Sequence, residues 1–96
     1  MAKSKVVIPE AVEKLKLAIT RLHRIDDGTP TKAFFDLAVM DSFVLNGYRI
    51  IEGKDGLFVS SPRECGKDGK WYTTVIPMTR DVKDAIEYLA MELYGE

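Results

Sequence analysis

The residues best suited to chemistry lie between Pro62 and Trp71, in the run Arg63-Glu64-Cys65-Gly66-Lys67-Asp68-Gly69-Lys70. Arg63, Lys67 and Lys70 could contact a polyanion, because lysine and arginine neutralise phosphates. With two acids interleaved, the same run also fits a solvated hairpin tip. Covalent chemistry has little to work with. Cys65 is the sole cysteine and His23 the sole histidine. Arg63 and Lys67 could depress the thiol pKa of Cys65, but His23 lacks an evident nucleophile or orienting acid. Two such ligands are too few for a metal site, and no glycine-rich phosphate loop of the Walker or Rossmann type is present. Neither a cofactor nor a metal is expected.

Positioning this charged run falls to the elements around it. Lys54-Asp55-Gly56 and Lys67-Asp68-Gly69 are turn signals. Leu57 to Val59 reads as a strand stopped by Ser60-Ser61-Pro62, and Trp71 to Ile76, aromatic and β-branched, reads as another stopped by Pro77. Upstream, Lys32 to Val39 alternates with Ala33, Phe35, Leu37 and Val39 on one face. Asp26-Asp27-Gly28 and Asp41-Ser42 are turns. Phe43 to Leu45 and Tyr48 to Ile51 are short β-prone runs, with Asn46-Gly47 as a bend or bulge between them. Pro9 to Lys14 can open a helix. Leu15, Leu17 and Ile19 then follow strand period while Leu22 and Ile25 follow helix period, so the segment stays open between the two.

The last element has the clearest pattern. Thr79 can cap a helix beginning at Arg80, and Val82, Ala85, Ile86, Leu89, Ala90 and Leu93 form one apolar stripe before Gly95. Strands first and the main helix last imply an α+β domain: a small antiparallel sheet of about four to six strands, with a C-terminal amphipathic helix packed on one face. The other face and the edges of so small a sheet would gain from a second copy, so a homodimer is expected. Of the adjacent pairs Trp71/Tyr72 and Phe34/Phe35, one ring of each should enter the core or a subunit interface, because neighbours on a strand point oppositely. The other could stack on a base.

The chain has 96 residues and a formal net charge of −1, which fits one domain without a strong overall field. Residues 1–25 carry six bases (Lys3, Lys5, Lys14, Lys16, Arg21, Arg24) against two acids (Glu10, Glu13). Residues 77–96 carry two bases (Arg80, Lys83) against five acids (Asp81, Asp84, Glu87, Glu92, Glu96). Met1 to Lys5 reads as a loose terminus, and the first residues lack the apolar core of a signal peptide. No stretch approaches the ~20 apolar residues of a membrane span. A lone cysteine suits a reducing compartment, so a cytoplasmic location is expected.

The order of these motifs resembles the SpoVG family, small bacterial proteins named for stage V sporulation and septation. The resemblance spans Leu15 to Tyr94 and is strongest in FVLNGYRIIEGKDGLFVSSP, Phe43 to Pro62. KDGKWYTTVIPMTRDVKDAI (Lys67 to Ile86) and KAFFDLAVMDSF (Lys32 to Phe43) also carry it. It divides the chain into an N-terminal extension, residues 1–14, and a SpoVG-like domain, residues 15–96. It implies a cytoplasmic homodimer that binds DNA and RNA as a regulator, without catalysis. Carried over by position, it implies nucleic-acid contact by Arg63, Lys67 and Lys70 in the loop and by Thr79, Arg80 and Lys83 at the helix start, two cation clusters acting together. Two departures stand out: Glu64 occupies a place where the family typically has a second base, and Ile76 the place of a histidine. The acidic helix keeps a second function class open, a protein-interaction module that uses that helix or a sheet edge to hold a protein partner.

Overall fold

The computed structural model describes residues 8–95. Met1 to Lys5, read above as a loose terminus, lies outside the described residues. A short helix α1 (Glu10–Lys14) leads into β1 (Ala18–Arg24), β2 (Thr31–Val39), β3 (Phe43–Gly53) and β4 (Gly56–Ser60). A hairpin follows, β5 (Arg63–Cys65) and β6 (Trp71–Thr73), and then the long helix α2 (Arg80–Tyr94). Strands β1 to β4 form an antiparallel meander in chain order, and β5–β6 is a separate two-stranded sheet. The fold is α+β.

Alternation along the strands decides where the core lies. Ala33, Phe35 and Leu37 of β2 and Tyr48 and Ile50 of β3 are buried, and they pack with Ala85, Ile86 and Ala90 from the apolar stripe of α2. Phe35 and Tyr48 are directly paired across the ladder, with ring centroids 5.1 Å apart. Such pairs add to the hydrophobic gain of burial, which is about 1.5–3 kcal/mol for each large side chain.

Two long-range contacts complete the ends of the helices. Pro9 precedes α1 and offers no capping side chain, and the free N–H of Ala11 instead donates to Asp81 Oδ2 at 2.8 Å. At the other end of α2, where no basic residue occupies the last turn, the Arg24 guanidinium donates to the Tyr94 carbonyl and lies 4.4 Å from the Tyr94 ring centroid. Part of the N-terminal extension is therefore built into the fold, since Ala11 is a core residue.

Several sequence readings are refined. The ambiguous stretch after Lys14 becomes an edge strand from Ala18, paired to β2 along its whole length. The two runs flanking Asn46-Gly47 are one strand, β3, broken in register between the Phe35–Tyr48 and Leu37–Leu45 pairs. Gly47 supplies the bulge with φ +97°, a conformation that costs other residues strain. The strand read over Trp71 to Ile76 stops at Thr73 and pairs with β5, which carried no strand signal in the sequence. The next pair in register would be Thr74 with Pro62: the Thr74 N–H (2.9 Å) and Oγ1 (3.2 Å) both bond to the Pro62 carbonyl, but proline has no N–H to return the bond, so the ladder ends there. One ring of the Trp71/Tyr72 pair is expected in the core or at a subunit interface. Neither enters the core of this chain, at 62% and 50% exposed, because their strand stands apart from the four-stranded sheet.

Candidate nucleic-acid interface

The cross-strand pairs of the hairpin are Arg63 with Thr73, Glu64 with Tyr72 and Cys65 with Trp71. Side chains alternate, so Arg63, Cys65, Trp71 and Thr73 share one face while Glu64 and Tyr72 share the other. The acid that interrupts the basic loop in sequence therefore points away from Arg63.

The turn at the hairpin tip is tied by its own acid. Asp68 accepts from the Lys70 N–H at 3.0 Å and from the Tyr72 hydroxyl. The Tyr72 hydrogen bond, with help from the Lys70 amide, holds the Asp68 carboxyl below its ordinary pKa; the same bond raises that of the Tyr72 hydroxyl. Gly69, with φ +82°, closes the turn by donating its N–H to the Gly66 carbonyl at 3.0 Å, while the Gly66 N–H donates to the Lys70 carbonyl at 2.7 Å. The cations have no such ties. Arg63, Lys67 and Lys70 are exposed, and among the described residues none of them makes an ion pair.

The helix start forms a second cluster. Thr79 caps α2 by accepting from the Val82 N–H at 3.2 Å. Thr79, Arg80 and Lys83 line one open groove of about 390 Å³ together with Asp84 and Glu87. Arg80 Nε lies 3.9 Å from Asp84 Oδ2, an exposed pair of little energetic weight. The two clusters do not share a groove. Arg63 lines a different one, of about 300 Å³, with Phe34, Gly47, Arg49 and Trp71. Phe34 and Arg49 alternate with the core residues of β2 and β3, which places that groove on the sheet face turned away from α2.

Sequence reasoning did not single out Arg49. The signal was present: Arg49 sits between Tyr48 and Ile50, so the period-2 rule sends it to the opposite face from that pair. That it would meet Arg63 could not be read from spacing. Cys65 is a free, exposed thiol. Among the described residues no group of three or more histidine, cysteine, aspartate or glutamate side chains could hold a metal ion, and no helix is long and apolar enough to cross a membrane.

A family model, SpoVG, matches residues 15–96. The chain belongs to the SpoVG family. Among curated relatives, the SpoVG septation protein of Staphylococcus carnosus is 32% identical over 82 residues, covering 85% of this chain and 77% of the relative. Its namesakes in Staphylococcus aureus and Staphylococcus haemolyticus are each 30% identical over 82 residues, covering 85% of this chain and 82% of each relative. The SpoVG match begins directly after α1, so the helix that supplies Ala11 to the core lies outside the matched residues.

Proposed function

We propose that this chain is a non-catalytic regulatory protein of the SpoVG type that binds DNA or RNA through phosphate contacts, acting as a cytoplasmic homodimer, with a role in septation as its relatives' names suggest. The observation that carries this reading is the asymmetry of the β5–β6 hairpin. Asp68 is engaged by Tyr72 and Lys70, and Glu64 is on the far face, while Arg63, Lys67 and Lys70 stay exposed and without ion pairs among the described residues. The tip thus offers local positive charge from a molecule of net charge −1. Thr79, Arg80 and Lys83 are a second contact point, weaker because Asp84 and Glu87 line the same groove. Binding of this kind is salt-sensitive, and a homodimer would double the number of contacts.

The test is a mobility shift of labelled duplex DNA and of single-stranded RNA at low salt. The Arg63→Ala/Lys67→Ala/Lys70→Ala variant should lose the shift while keeping the wild-type circular dichroism and melting curve. Three lost phosphate contacts should also flatten the dependence of log affinity on log salt by roughly 2–3.

A second reading has its own observation. A groove of about 520 Å³ is lined by Asp81, Asp84, Glu87 and Glu92 with Pro9, Tyr88 and Met91. An acidic wall with apolar patches suits a basic segment of a protein partner. Absence of any shift at low salt, with pooled sequences of either nucleic acid, would leave this interaction module as the function.

A further inference from the structure

The outer face of the sheet carries a row of side chains that the phosphate reading does not use. His23 pairs with Phe34, Phe34 with Arg49, and Arg49 with Ser60, so these four stand side by side across β1 to β4. Each alternates with a residue of the helix-facing side, which puts the whole row on the opposite surface. With neighbouring strands ~4.8 Å apart, the row spans roughly 14 Å. Phe34 keeps 43% of its surface exposed although it sits mid-sheet. On one side of Phe34 lies the groove shared by Gly47, Arg49, Arg63 and Trp71. On its other side lies a smaller one, about 190 Å³, lined by Arg21, His23, Phe35 and Asp36. Gly47 adjoins Pro62, where a Cβ would sit in ordinary contact at 3.5 Å, so its φ of +97° and not crowding favours glycine there.

We infer that this strip is a stacking site for unpaired bases of a single-stranded nucleic acid, with Phe34 and Trp71 as the platforms and Arg49 and Arg63 on the flanking phosphates. The charge pattern selects that occupant. Among the described residues, the groove between the two rings has two arginines and no carboxylate residue in its lining; one acid, Asp36, lines the groove beyond Phe34. Flat aromatic ligands carrying negative charge satisfy both features at once, because bases stack on exposed rings and arginine binds phosphate through a planar fork. A base inside a duplex is already stacked on both faces and cannot offer one to Phe34 or Trp71. The strip therefore discriminates between strand states, which the lysines at the hairpin tip cannot do. A span of roughly 14 Å accommodates two or three nucleotides. Arg63 belongs to both surfaces, as a phosphate contact at the hairpin and as the outer wall of this groove. The inference rests on the nucleic-acid reading above and adds to it the strand state and the residues that sense it.

The experiment measures anisotropy of a labelled oligothymidine strand and of a labelled duplex of the same length at low salt, alongside the fluorescence of Trp71, the single tryptophan of the chain. The single strand should bind at least about tenfold more tightly than the duplex and quench Trp71. Phe34→Ala and Trp71→Ala should each weaken single-strand binding about tenfold and leave duplex binding unchanged, whereas Trp71→Phe should keep most of it. Equal binding of both strand states, with Phe34→Ala and Trp71→Ala behaving as wild type, overturns the stacking site and leaves the phosphate reading standing. No binding of either probe removes both. If Phe34→Ala or Trp71→Ala instead converts a dimer into a monomer by light scattering, the strip is an interface between copies and the inference fails.

Discussion

The two faces of the four-stranded sheet are made by the same strands and have opposite fates. On the helix side Ala33, Phe35, Leu37, Tyr48 and Ile50 are closed off by α2. On the outer side Phe34, Val44 and Phe58, each more than two-fifths exposed, stand among Arg21, His23 and Arg49, with only Arg63 and Trp71 of the hairpin reaching the groove beside Phe34 among the described residues. A monomeric domain normally hides aromatic rings or scatters them singly. The difference teaches that this sheet is a one-sided core with a working surface on its back, rather than the middle layer of a sandwich. Stability should therefore respond to the first face and binding to the second.

The largest effect that could break this division is the contrast between neighbours in one strand. Leu37→Ala removes a fully buried side chain and should cost about 2–5 kcal/mol in chemical denaturation. Phe34→Ala, three residues earlier and on the other face, should cost less than half as much despite deleting a larger ring. Equal costs would mean that the outer face is covered in solution.

A smaller effect sharpens the helix side. Asp81 caps α1 from a position seventy residues away in the chain, so Asp81→Ala should lower stability by about 1 kcal/mol. Removal of residues 1–14 should then make the same substitution nearly silent, because the cap has lost its partner.

The smallest concerns a flaw in the core. The Tyr48 hydroxyl is buried with no hydrogen-bond partner among the described residues, and burial raises its pKa above the ordinary 10.0. Tyr48→Phe keeps the stacking on Phe35 and drops the orphan group, so it should raise stability by up to about 1 kcal/mol at neutral pH. The sign also holds for alkali. A group whose folded pKa is raised contributes stability below its unfolded pKa and loses it as pH climbs past 10, so wild type should lose more stability there than Tyr48→Phe, in which only the raised Tyr72 hydroxyl remains.

Much of this architecture is legible in residue order. The stripe from Val82 to Ala90 and the alternation of Ala33, Phe35 and Leu37 specify α2 and β2 because burial on one side imposes periods of 3.6 and 2 on the chain itself. Asn46-Gly47 marks the bulge for an equally local reason, the φ that glycine tolerates. The edge strand β1 was harder, since a strand with one neighbour is under weaker pressure to alternate. The hairpin was harder still: Arg63-Glu64-Cys65 has no β-propensity to show, and it is a strand only because Thr74 and Pro62 draw its two ends together.

The sequence by itself determined which side of α2 and of β2 would face the core, and that cationic side chains would gather near Lys70. Tertiary structure alone decided that Arg63 meets Arg49 and Phe34 rather than Arg80 and Lys83, that Glu64 turns away from them, and that Asp81 and Arg24 finish helices far from their own place in the chain. Periodicity records the burial each residue experiences. It holds no record of which distant segment supplies the neighbour, since that depends on how turns and bulges aim whole elements at one another.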